Sequence, residues 1–273
     1  MATFFDNPLV QSALLPFVVT FVLAGIAGLV RPHWRGLSVV AGFYLSAPLI
    51  TGAQLLPLTS TRKILVLGIV GLIVALLLSR QLMDARRRYF ILLLLVSAAA
   101  TWVLWPVLLR ANDLSGLFTL AASVVYVIWL VVLLDKQRQQ ASTQLLSVLI
   151  LAAGTAIVAT LGASALLGQL SGALAAASGG LLLALLVLGK GRDDDLLLFP
   201  AVLLVGLVGL AAVVYASLNW QSLLCLMLIP LVSRLPLTLN NIWIKLFVQL
   251  LIMLPMVAGA AYLAWDTGSD AYY

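Results

Sequence analysis

Ten apolar runs, separated by short clusters of charged or turn-forming residues, make up nearly the whole chain. None alternates with the two-residue period of a barrel strand, and most are about twice as long as one. A helix of about 20 apolar residues crosses about 30 Å of hydrocarbon. It also satisfies every backbone polar group within itself. The pattern therefore predicts an all-α, polytopic transmembrane helix bundle. The first five spans are Leu9–Val30, Leu37–Leu56, Ile64–Ser79, Tyr89–Leu109 and Leu114–Leu134. The last three are Leu196–Leu218, Ser222–Leu235 and Ile244–Trp265. Between these groups one apolar stretch runs from Thr143 to Gly189. As a single helix it would be about 70 Å long, more than twice the membrane. It must turn, and Gly162, Gly168, Gln169, Ser171 and Gly172 are the turn signals. The stretch divides into Thr143–Leu166 and Leu170–Leu188. The count is ten spans, with nine as the alternative because Ser222–Leu235 is short and holds Pro230.

Composition agrees. The chain is 64% hydrophobic and 9% charged, against about 45–50% and about 25% in soluble domains. Lipid is the solvent for most of it, residues 1–273 read as one integral membrane domain, and no stretch is left for a soluble one. Leu9–Val30 is too long, and lacks the basic lead, for a cleaved signal, so it reads as a retained first span.

Charge adds orientation. With the N-terminus outside and ten spans, twelve of the 15 Lys and Arg fall on the inner side. They are Arg31, Arg35, Arg80, Arg86, Arg87, Arg88, Lys136, Arg138, Lys190, Arg192, Arg234 and Lys245. Arg62, Lys63 and Arg110 fall outside. That bias is the positive-inside pattern, and it places both termini outside a cell membrane, read as a bacterial inner membrane. The same distribution argues against nucleic acid as a partner, because the basic residues sit in short interhelical segments. Arg86, Arg87 and Arg88 are the densest basic cluster. They read as a topology anchor able to bind anionic lipid headgroups.

Two halves, 1–138 and 139–273, would each hold five spans and so run in opposite senses, as in inverted-repeat transporters. Arg35–Gly42 and Gln169–Ala176 echo each other weakly. This layout resembles compact drug/metabolite-type transporters in architecture alone. Those keep both termini inside, whereas the charge count here puts both outside, so no residue is carried over.

Candidate chemistry is sparse. There is no Glu, and the nine acids are Asp near span ends or in loops. Intramembrane charge, the usual mark of function, is missing from mid-span. Pro16, Pro48, Pro230 and Pro255 lie inside spans and free backbone carbonyls. Gln249 is the deepest polar side chain, and Gln54 lies near an interface. If the halves are related, Pro48 faces Gly179 and Gly180. Pro48, Gln54, Gly179, Gly180, Gln249 and Pro255 are therefore the candidate binding residues. Small residues recur every fourth position at Ala152, Ala156, Thr160 and Ser164, then Gly172, Ala176 and Gly180, a stripe that lets helices approach closely. His33 and Cys225 are single and assemble no metal site or disulfide, and no cofactor is implied. Asp193–Asp195 offers hard oxygen ligands for Mg²⁺, or simply a solvated helix start.

Three function classes fit: a small-solute permease, a non-catalytic subunit or scaffold of a membrane assembly, and a lipid-modifying enzyme built on Asp193–Asp195. The first is the leading expectation. Its partners are the bilayer and anionic headgroups, with membrane proteins or further copies of the chain as alternatives.

Overall fold

The computed structural model describes residues 7–52, 54, 56–80, 84–109, 114–135, 141–162, 164–189, 198–216, 218–235, 237, 239 and 241–269. Among these there is no strand. The helices are α1 (Val10–Val30), α2 (Leu37–Thr51), α3 (Ser60–Arg80), α4 (Ala85–Leu108) and α5 (Leu114–Asp135). They continue as α6 (Ala141–Gly162), α7 (Ala165–Leu188), α8 (Phe199–Ala216), α9 (Trp220–Leu226), α10 (Ile229–Val232) and α11 (Ile242–Ser269). Eight of the described helices are long and apolar enough to cross a membrane; α2 and the α9–α10 pair are shorter. Large apolar side chains crowd the exterior as well as the core: Leu29 is 90% exposed, Phe118 76% and Phe90 68%. A soluble monomer does not present such a surface, and lipid does not penalise it. The chain is a multi-pass membrane protein.

The bundle is arranged around α8. Every residue from Phe199 to Val213 is buried, as expected of a helix that is apolar on all sides. Gly68 and Gly71 of α3 lie against Leu204 and Leu203, and Gly206 lies against Val127 and Leu130 of α5. At one end of the bundle the Tyr215 hydroxyl donates to the Val103 carbonyl of α4 at 2.5 Å.

The second packing unit is α7 with α6, α1 and α2. The stripe at Ala152, Ala156 and Thr160 does meet α7: Gly168 fits against Thr160 and the Ala156 carbonyl. The Ser171 hydroxyl donates to the Ala152 carbonyl at 2.8 Å. On its other side α7 runs parallel to α1, with Gly172 beside Ser12, Gly180 beside Phe17 and Leu188 beside Gly25. Small residues on two faces let one helix pack closely on two neighbours.

Three boundaries differ from expectation. In the long Thr143–Gly189 stretch α6 ends at Gly162, the first of the five turn signals, and α7 begins at Ala165, a few residues before the expected break between Leu166 and Leu170. Ser164 caps α7 by accepting from the Leu167 N–H at 3.4 Å, whereas the later glycines are contact surfaces inside the helix. The second helix stops at Thr51, because Gly52 takes φ +82°, a region open to glycine and costly for other residues. The arginine cluster does not lie in a loop: Arg86, Arg87 and Arg88 form the first turn of α4.

Helix ends sort into two groups. Arg35 reaches the Gly189 carbonyl at 2.8 Å, Arg88 pairs with Asp135 at 3.6 Å, and Gln144 donates to the Leu134 carbonyl at 3.1 Å. At the opposite end Lys63 donates to the Trp102 carbonyl at 3.4 Å.

Candidate functional site

The helix that should follow α8 is broken. Trp220–Val232 divides into α9 and α10 at a turn over Met227 and Leu228. Pro230 is the local cause: it has no N–H for the carbonyl of Leu226, four residues back, and its ring disturbs the ladder there. The next donor is also diverted, since the Leu231 N–H bonds Leu228 at 3.0 Å. That takes the helical partner from the Met227 carbonyl. The Trp129 indole of α5 supplies a replacement, donating to Met227 at 3.2 Å. After Val232 the helix ends in turns at Ser233–Leu235, whose N–H groups bond the Ile229, Leu231 and Val232 carbonyls.

Gln249 of α11 stands against this second break. It is fully buried, and its Nε2 donates to the Ser233 carbonyl at 3.4 Å. Ser233 in turn donates to the Pro230 carbonyl at 2.8 Å. Seven residues into α11, Gln249 is about 10 Å from the helix start, within the apolar stretch Ile242–Asp266 that is long enough to cross a membrane. Irregular backbone is tolerated there only where protein or a polar cavity covers it.

The inventory of this region does not balance. The Gln249 Oε1 is buried without a hydrogen-bond partner, and so is the Ser222 hydroxyl of α9. The Tyr126 hydroxyl of α5 is a third such group, close to the Cβ position of Gly209 and beside Leu223. An unmatched buried polar group costs about 1–3 kcal/mol. Buried polar atoms are almost always satisfied; of these three, the Gln249 Oε1 is the one that stands at the second break, beside the Ser233 carbonyl. The three groups are neutral, and together they accept and donate.

Of the expected site residues, only Gln249 belongs to this region. Gly180 packs against Phe17, Thr20 and Phe21, and Gly179 against Leu149 and Phe17, so the nearest neighbours of neither include Pro48. Pro48 and Pro255 are exposed on the outer faces of α2 and α11, and Gln54 is exposed beyond the end of α2. Asp193–Asp195 lies outside the described residues. Among the described residues no group of three His, Cys, Asp or Glu stands together.

The arginine cluster divides in two. Arg86 and Arg87 are exposed, whereas Arg88 turns inward. It pairs with Asp135 and stacks on the Tyr89 ring at 5.4 Å, and the Tyr89 hydroxyl also bonds Asp135. Beside Asp135 and Gln144 is a void of about 10 Å³, near the lower limit for one water. This group holds α4, α5 and α6 together at one end of the bundle.

Sequence reasoning missed Trp129, Tyr126 and Ser222. A signal was present for two of them: Tyr126 and Trp129 are three apart in a span whose other aromatic is Phe118, so they share a helix face. Ser222 carried none, because a lone serine at a helix start reads as a cap. No protein-family model matches the chain, and no curated protein is significantly similar to it.

Proposed function

We propose that the chain is a small permease for a neutral, hydrogen-bonding solute, bound where α9–α10 breaks against Gln249. The observation that carries this reading is the buried, unpartnered Gln249 Oε1 beside the end of the broken segment at Ser233. Broken helices with free backbone groups build the sites of many secondary transporters. The solute class follows from the groups available. Gln249 Oε1 accepts, so a solute with a hydroxyl or amide N–H satisfies it. Alternation of the α9–α10 arm against α11 would then open the site to either side.

The orientation follows the charge count: ten crossings in a bacterial inner membrane, with both termini outside. Arg35, Arg88 and Lys245 then share the cytoplasmic face.

The test is solute-driven swelling of proteoliposomes followed by light scattering, with glycerol, urea and small amides as probes. Swelling should exceed that of empty liposomes for at least one probe. Gln249→Leu, which keeps the volume and removes both polar atoms, should slow it about 5- to 150-fold, the equivalent of about 1–3 kcal/mol. Equal rates for Gln249→Leu and the unaltered chain would overturn the reading.

A second reading, a non-catalytic subunit of a membrane assembly, draws support from α8. Its unbroken burial from Phe199 to Val213 gives a rigid central post, which suits a scaffold. It predicts no swelling above that of empty liposomes.

A further inference from the structure

The outward face of α4 combines charge and shape in a way that the permease reading does not use. Its first turn presents Arg86 and Arg87 to the outside, and among the described residues neither pairs with a carboxylate. Asp84, exposed at the N-cap, makes no ion pair with either of them, and Asp135 of α5 is engaged by Arg88 and Tyr89. The two spare guanidiniums stand at a helix N-terminus, where the backbone dipole adds to their attraction for an anion. From them a depression of about 400 Å³ leads to Phe90. There it meets a groove of about 740 Å³ that continues to Trp105.

The groove floor is made of the small residues Ser97, Ala98 and Thr101, and its walls include Phe90, Leu94 and Trp105. Ser97 and Thr101 look polar in the sequence, but their hydroxyls are turned into their own helix. Ser97 donates to the Leu93 carbonyl and Thr101 to the Ser97 carbonyl, both at 2.8 Å. The floor therefore offers no free donor to a ligand and suits an apolar one. Phe90 is 68% exposed and Leu94 60%, so the chain itself does not cover the walls. From Phe90 to Trp105 the groove is about 22 Å long, against about 15 Å for one leaflet, enough for a whole acyl chain.

We propose that α4 binds a phospholipid with a net-negative headgroup, its phosphate between Arg86 and Arg87 and one acyl chain in the groove over Ser97, Ala98 and Thr101. Charge selects the lipid class: the depression is lined by two cations, Arg86 and Arg87, whereas Asp84, exposed just before the helix, is not part of its lining.

Native mass spectrometry of the purified full-length chain tests this, with phosphatidylglycerol and phosphatidylcholine of identical acyl chains titrated in parallel. The unaltered chain should retain phosphatidylglycerol about 30-fold better, the equivalent of about 1 kcal/mol for each of two arginines. Arg86→Gln with Arg87→Gln should bring the two lipids close to parity. Ala98→Phe, which fills the groove from an exposed position, should reduce retention of both lipids while leaving the arginines intact. Equal retention by the unaltered chain would overturn the proposal, as would a preference that survives loss of both arginines. A dimer whose interface protects α4 in place of lipid would overturn it too.

Discussion

A methyl group added at Gly180 tests the packing of α7 on α1 at its tightest point. A Cβ there would lie 2.5 Å from the Phe17 carbonyl oxygen and 3.2 Å from both the Phe21 nitrogen and the Thr20 Cβ. Ordinary contact begins near 3.4 Å, so the shortfall against the carbonyl is about 0.9 Å. That oxygen is backbone and cannot rotate aside, so the helices must separate. A gap of that size forfeits about a quarter to a half of each dispersion contact along the seam, and overpacking of this kind costs about 1–3 kcal/mol. Glycine to alanine also gains about 1 kcal/mol of helix propensity in water, which would mask part of the loss. Gly259, inside α11 with nothing within 4 Å of its Cβ position, supplies the control. Gly180→Ala and Gly259→Ala gain the same propensity, so their difference isolates packing. In SDS titrations followed by circular dichroism, Gly259→Ala should unfold at or above the unaltered midpoint. Gly180→Ala should fall below Gly259→Ala by about 1–3 kcal/mol. Coincident transitions for the two variants would refute the α1–α7 contact.

Two further outcomes follow from the ends of the bundle. Asp135→Asn and Arg88→Gln should each destabilise by about 1–3 kcal/mol, because each leaves buried partners unmatched. The double variant should lose less than the sum, whereas strict additivity in the same titration would show that the pair is not coupled. In a Cys225→Ser background, Asp266→Cys should react with an impermeant thiol reagent added outside intact cells, and Arg86→Cys should not. Labelling of Arg86→Cys from outside would reverse the orientation.

Much of the fold was legible because lipid leaves few options. Long apolar runs become helices wherever backbone groups find no water. The helices α1, α3, α5 and α8 therefore fall within a few residues of the runs that predict them. Glycine was less legible. Gly168 and Gly172 look like turn residues by the rules of soluble chains, yet both sit inside α7 as points of close approach. The turn was set by Ser164, whose capping bond is a local property with a weak sequence signal. Asp135 follows directly on the apolar run Leu114–Leu134. It is the last residue of α5, and its helical phase turns it inward to Arg88 and Tyr89. Gln249 was legible as the deepest polar side chain. Its surroundings were not, because Ser233 meets it, and Trp129 meets Met227, from elements far apart in sequence. The weakness of the span holding Pro230 was visible, but that the break would face a buried glutamine depends on tertiary packing alone.

The most direct measurement is aqueous access to the broken segment. Ser222→Cys in a Cys225→Ser background places one thiol at a position that is fully buried in this conformation. A permease must expose that position to water during its cycle, whereas a scaffold keeps it sealed. Reconstituted in liposomes, Ser222→Cys should react with a small, charged methanethiosulfonate reagent, and more slowly when Gln249→Leu is also present. A thiol that stays unmodified until the protein is unfolded would contradict the account.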